Sequence, residues 1–164
     1  MKDKERDRQP GNRLSFLIQV QAGKEYWMYL VLGEKPSVAQ AYAKVLGAKK
    51  RQDGYLEGNG WLVSWCLGHL AEYVPPEGYE EKYQKWEFED LPILPEKWQM
   101  AVAKEKKGQF SVLKKLLNRK DVDYVVNGCD AGREGELIFG RVYELSGSHL
   151  PIRRIWTSSM EDTA

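Results

Sequence analysis

Two short apolar runs, each closed by a glycine and followed within two residues by a carboxylate, constrain this chain more than any other feature. The first is Met28-Tyr29-Leu30-Val31-Leu32, ended by Gly33 and then Glu34-Lys35-Pro36-Ser37. The second is Asp123-Tyr124-Val125-Val126-Asn127-Gly128, followed by Cys129-Asp130-Ala131-Gly132-Arg133-Glu134-Gly135-Glu136. Short runs apolar on both faces read as central parallel strands. Pro36 and Ser37 mark a helix start, and Val38, Ala41, Tyr42, Val45 and Leu46 recur at helical spacing before Gly47. After the second run, Leu137, Ile138, Val142 and Leu145 form the inward stripe of a helix over 134–145. Strand, turn and helix repeated in this way predict an α/β fold, a mostly parallel sheet flanked by helices with right-handed crossovers.

The remaining segments fit around that frame. Residues 54–57 and 61–66, separated by Gly58-Asn59-Gly60, read as an inserted β-hairpin, because Asn-Gly supplies the positive φ of a tight turn. The stretch 75–95 carries Pro75, Pro76, Pro92 and Pro95 with Tyr79, Tyr83, Trp86 and Phe88, and reads as a long irregular loop. Residues 98–117 have helical periodicity with a break expected at Gly108, and 153–156 read as a last strand. Thr157-Ser158-Ser159 offers a helix N-cap. Residues 1–27 alternate in charge and contain the turn Pro10-Gly11-Asn12, so they are expected to be an N-terminal extension outside a core domain of 28–164. An extra edge strand at 14–20 is the alternative.

A length of 164 residues suits one domain with its own core. The 25 Lys and Arg against 24 Asp and Glu exclude a broad basic coat and an acidic tail, so contact with a polyanion must be local. No apolar stretch approaches the roughly 20 residues of a membrane span, and the charged N-terminus is unlike a signal peptide. No membrane association and a cytoplasmic location are therefore expected. Cys66 and Cys129 stand far apart without a CxxC or Cys/His cluster, and read as small buried hydrophobes.

The chemistry concentrates at the two junctions. Ligands of open α/β sheets bind beyond the carboxyl ends of the strands, so both junctions are expected to face one crevice. Clustered carboxylates repel, and a hard divalent cation such as Mg²⁺ relieves the repulsion with one or two carboxylates, waters and a phosphate. Asp130 and Glu134 are the expected ligands, and Glu34 a third ligand or a proton-transfer group. Lys35 and Arg133 supply positive charge for a phosphodiester, while Gly132 and Gly135 permit close backbone approach. Blander readings exist: Glu134 and Glu136 in a first helical turn favour the dipole without function, and Glu34-Lys35 reads equally as a solvated pair. His69 reads as a packed structural residue. Trp86 and its neighbours are candidates for stacking on single-stranded bases, whereas Trp61, Trp65 and Trp98 are expected in the core.

Segments 32–39 and 130–138 resemble the two signature segments of the Toprim domain of type IA DNA topoisomerases, in particular the topoisomerase III branch. Residues 65–70, 83–95 and 154–160 fit the same pattern, in order, so the resemblance spans 28–164. It implies a Rossmann-like Toprim fold and a Mg²⁺-assisted strand transferase that cleaves one DNA strand through a tyrosine and reseals it. By position, Glu34 resembles the acid/base residue serving the departing 3′-oxygen, and Lys35 resembles a contact to the scissile phosphate. His69 is a further candidate for DNA contact. Asp130 and Glu134 match metal ligands of an Asp-x-Asp-x-Glu pattern whose second Asp is Gly132 here, with Glu136 near enough to compensate. The resemblance further implies single-stranded DNA and the remaining domains of a topoisomerase chain as partners, because no tyrosine here sits in a segment like the nucleophile's. The residues leave two other readings open: a free-standing metal-dependent nuclease or primase-like protein, and a non-catalytic DNA-binding module.

Overall fold

The computed structural model describes residues 27–156 except 86. Its centre is β1 (Met28–Gly33), hydrogen-bonded in parallel on one side to β4 (Trp61–Trp65) and on the other to β7 (Val122–Gly128). With β2 (Lys50–Gln52), β3 (Tyr55–Gly58) and β8 (Ile152–Arg154), these strands form a six-stranded sheet in the order β2-β3-β4-β1-β7-β8. β8 joins β7 in parallel, and only the β2-β3-β4 ribbon is antiparallel. The β3-β4 hairpin turns through Asn59 and Gly60, with φ of 50° and 78°, as its Asn-Gly sequence requires.

Successive residues of β1 face opposite sides of the sheet, and the helices divide accordingly. Leu30 and Leu32 pack beneath α2 (Lys107–Leu117) and α3 (Arg133–Ser146), among Leu113, Leu116, Leu117, Ile138, Phe139 and Val142. Val31 faces α1 (Pro36–Leu46) on the other side, with Ala39, Ala43, Val63, Tyr124 and Val126. Leu30, Leu32, Leu113 and Val142 are fully buried, each contributing about 2 kcal/mol by leaving water. Cys66 and Cys129 lie in the same core, as their sequence context predicts.

Several sequence expectations give way. The first part of the 98–117 stretch is not helical: β6 (Met100–Val102) pairs antiparallel with β5 (Ala71–Tyr73), and the helix begins at Lys107. Gly108 therefore lies in the first turn of α2 and does not interrupt it. Trp98 is 57% exposed, stacked edge-on against Tyr73 and Tyr79 rather than placed in the core, and Trp61 and Trp65 are only half-buried at its margin. Val45 is exposed because α1 meets the sheet through the small side chains of Ala39 and Ala43. Leu137 is exposed because it sits one step off the Gly135, Ile138, Phe139, Val142 stripe of α3. The 75–95 excursion is irregular as expected, with 3₁₀ turns at Pro76–Gly78, Glu81–Gln84 and Phe88–Asp90 and its apolar Phe88 and Leu94 exposed. The edge strand at 14–20, the cap at 157–159 and Trp86 lie outside the described residues. No described helix is long and apolar enough to cross a membrane.

Candidate functional site

The strand register brings the two junctions side by side. Leu32 pairs with Asn127 and Gly33 with Gly128, so the chain leaves β1 and β7 at the same level. The loop after β4 is stitched to the same edge: the Cys66 N–H donates to the Gly33 carbonyl at 2.9 Å, and the Gly68 N–H to the Glu34 carbonyl at 3.0 Å. Glu34, Lys35 and the run from Asp130 to Gly135 line one open cleft there. Gly135 is required by close packing, since any Cβ at that position would collide with the Asp130 backbone. Gly132 is different, because a Cβ there would meet open space.

Charge is graded across the cleft. Glu34 is 5% exposed, and its carboxylate lies 3.2 Å from the Lys35 ammonium, which reaches toward solvent. The hydrogen bond to Glu34 and its charge, with smaller contributions from Asp130 and Glu134, raise the Lys35 pKa above its ordinary value. Asp130, Arg133 and Glu134 are exposed. His69 Nε2 lies 3.1 Å from Glu134 Oε1, so this histidine stands at the rim of the cleft rather than in the core. Lys106 fixes its main chain by donating to the His69 carbonyl at 2.8 Å.

Residues 29–160 match the Toprim domain family. The chain belongs to that family. It is 46% identical over 134 residues to the DNA topoisomerase 3 of Shouchella clausii, an alignment covering 82% of this chain and 18% of that protein. It is 47% identical over 135 residues to the DNA topoisomerase 3 of Bacillus subtilis, covering 82% and 19% respectively. The chain thus spans less than a fifth of the length of these relatives.

Within this Toprim domain, Arg154 is a residue whose part the sequence did not announce. From β8 its guanidinium donates to the carbonyls of Asn127 at 3.3 Å, Cys129 at 2.9 Å and Asp130 at 2.7 Å, pinning the turn that carries Asp130. Its Nε also forms a close ion pair with Glu136 at 2.7 Å, off the line of a hydrogen bond, and Asn127 Nδ2 donates to the same carboxylate at 3.2 Å. Glu136 is thus held by Arg154 and Asn127, and it lines a neighbouring hollow rather than the cleft. Contacts to main-chain carbonyls leave no residue-type signature. The available signal was an arginine within the last predicted strand.

The hard oxygens that could be offered to a cation in this cleft are those of Asp130 and Glu134, with Glu34 paired to the Lys35 ammonium. Among the described residues no three His, Cys, Asp or Glu side chains converge into a metal cage. The set fits a cation of the Mg²⁺ type, which needs only one or two carboxylates and draws its other ligands from water and phosphate. Cys66 and Cys129 touch beneath the cleft. Contact with the Cys129 thiol and burial push the Cys66 thiol well up, which leaves it protonated and inert as a nucleophile.

Proposed function

We propose that this Toprim domain binds the scissile phosphodiester of a DNA strand in a type IA topoisomerase reaction, with Mg²⁺, and with the tyrosine nucleophile supplied by other domains of a topoisomerase chain. The observation that carries the reading is the pairing of buried Glu34 with Lys35 in the same cleft as the exposed carboxylates of Asp130 and Glu134. Lys35 and Arg133 bind the phosphate oxygens and orient the strand. Glu34, buried and followed by main chain that is hydrogen-bonded in place, exchanges a proton with the departing 3′-oxygen, giving it on cleavage and taking it back on resealing. Asp130 and Glu134 hold the cation, with His69 orienting the Glu134 carboxylate. When bound, Mg²⁺ supplies charge neutralisation at the phosphate. The reaction is single-strand cleavage and religation in the cytoplasm. Similarity to DNA topoisomerase 3 proteins over 82% of the chain supports this reading.

Calorimetric titration of the chain with Mg²⁺ tests it. Wild type is expected to bind with a heat that Asp130→Asn combined with Glu134→Gln abolishes, with the circular dichroism spectrum unchanged. Binding that survives in the double variant would remove these residues as the cation site. Mg²⁺-dependent nicking of DNA by the chain alone, lost in Glu34→Gln, would favour a nuclease over a topoisomerase component.

A further inference from the structure

Next to the cleft lies a second hollow, lined by Gly132, Arg133, Glu136, Leu137 and Trp156. Its wall is largely apolar although it faces solvent: Trp156 is 74% exposed and Leu137 43%. Two large apolar side chains beside an otherwise charged site match a ligand that is flat, apolar on its faces and polar at its edge. The Trp156 ring is also held in place. The Arg154 guanidinium lies over it, 5.3 Å from the ring centroid, and Arg154 is itself fixed by three main-chain carbonyls.

We propose that this hollow takes an unpaired nucleobase of the strand whose phosphate occupies the cleft, stacked on Trp156 and packed against Leu137. The inference rests on the phosphodiester reading of the cleft. Continuity supports it: the two depressions share Gly132 and Arg133, so Arg133 stands between a phosphate on one side and a base on the other. Hydrogen bonding supports it as well. The Glu136 carboxylate, held on the hollow's wall by Arg154 and Asn127, retains lone pairs that accept hydrogen bonds from the N–H groups at a base edge and that no phosphate oxygen satisfies, so the strand has one favoured orientation. A paired base is already stacked and hydrogen-bonded within its duplex, which restricts the site to single-stranded DNA.

Fluorescence anisotropy of the full chain at one fixed salt concentration tests the proposal with two short labelled single-stranded deoxyoligonucleotides, one of ordinary sequence and one abasic throughout its centre. Trp156→Ala is expected to weaken the ordinary probe about tenfold, in line with the known cost of losing one base-aromatic stack. It is expected to leave the abasic probe unchanged, and Trp156→Phe to retain most of the affinity. Lys35→Ala, which removes a phosphate contact, is expected to weaken both probes alike. The proposal is overturned if wild type binds the two probes equally, if Trp156→Ala weakens both equally, or if Trp156→Ala affects only self-association in sedimentation. Should Lys35→Ala change neither probe while Trp156→Ala still discriminates them, the hollow keeps its base and the reading of the cleft fails instead.

Discussion

The turns after β1 and after β7 leave the same edge of the sheet but are built on opposite plans. After β1 the chain passes directly into α1, and Glu34 is buried in a frame of main-chain hydrogen bonds from Gly68 and of Ala39 to Lys35. After β7 the turn is longer and its carboxylates at Asp130 and Glu134 are exposed. It is held from beneath by Arg154 and by the close seat of Gly135 against Asp130. A group that must present a proton at one fixed atom gains from exclusion of water and immobility. Groups that take up a hydrated ion must stay open to solvent while their backbone stays fixed. The difference between the turns is the one that the roles proposed for Glu34 and for Asp130 with Glu134 would need.

The largest effect is expected from breaking the support of the second turn. Arg154→Ala removes a cation from three carbonyls and strands the Glu136 carboxylate. Urea denaturation is expected to show a loss of about 3 kcal/mol, since hydrogen bonds from charged groups contribute roughly 1.5–3 kcal/mol each and are not additive. An unchanged midpoint would show that the turn holds itself.

Glu34→Gln probes the first turn with a smaller effect on stability and a clear one on titration. The Lys35 pKa is raised above 10.5 by Glu34, so the pair's stabilisation is complete below that ordinary value and fades as the pH rises through the higher folded-state value. In Glu34→Gln the Lys35 titration, followed by NMR at its Cε, is expected to move back down and the alkaline loss of stability to shrink. A Lys35 titration indifferent to the substitution would break the proposed coupling. The smallest effect on stability belongs to Gly132→Asp. The new Cβ meets open space and the φ of −162° is extended backbone, so the residue is expected to cap α3 for a few tenths of a kcal/mol. The same substitution is expected to raise Mg²⁺ affinity by adding a carboxylate; unchanged affinity in a calorimetric titration would show that position 132 does not face the ion.

What could be read from the residues divides along similar lines. The runs at 28–33 and 122–128 and the acids after them were legible, because strand periodicity and the position of ligand sites beyond strand ends are local rules. Met100 and Val102 were misread as helical because their apolar spacing satisfies both periods over so short a stretch, and only pairing with Ala71–Tyr73 decides between them. Leu137 was misplaced by one step of the helical wheel. Arg154 and His69 were seen as residues but not in their parts, since an arginine serving main-chain carbonyls and a histidine reaching Glu134 across the sheet edge are contacts of tertiary origin.

The central place of β1 has a further consequence for how the molecule breathes. Both its edges are paired, to β4 and β7, so its amide groups are freed only when the whole sheet comes apart. The excursion at 75–95, with its 3₁₀ turns and exposed side chains, opens at far lower cost. Local fraying or a proteolytic nick in that outer segment therefore leaves the alignment of Glu34 with Asp130 untouched: the reactive edge is insulated from the part of the chain most exposed to damage.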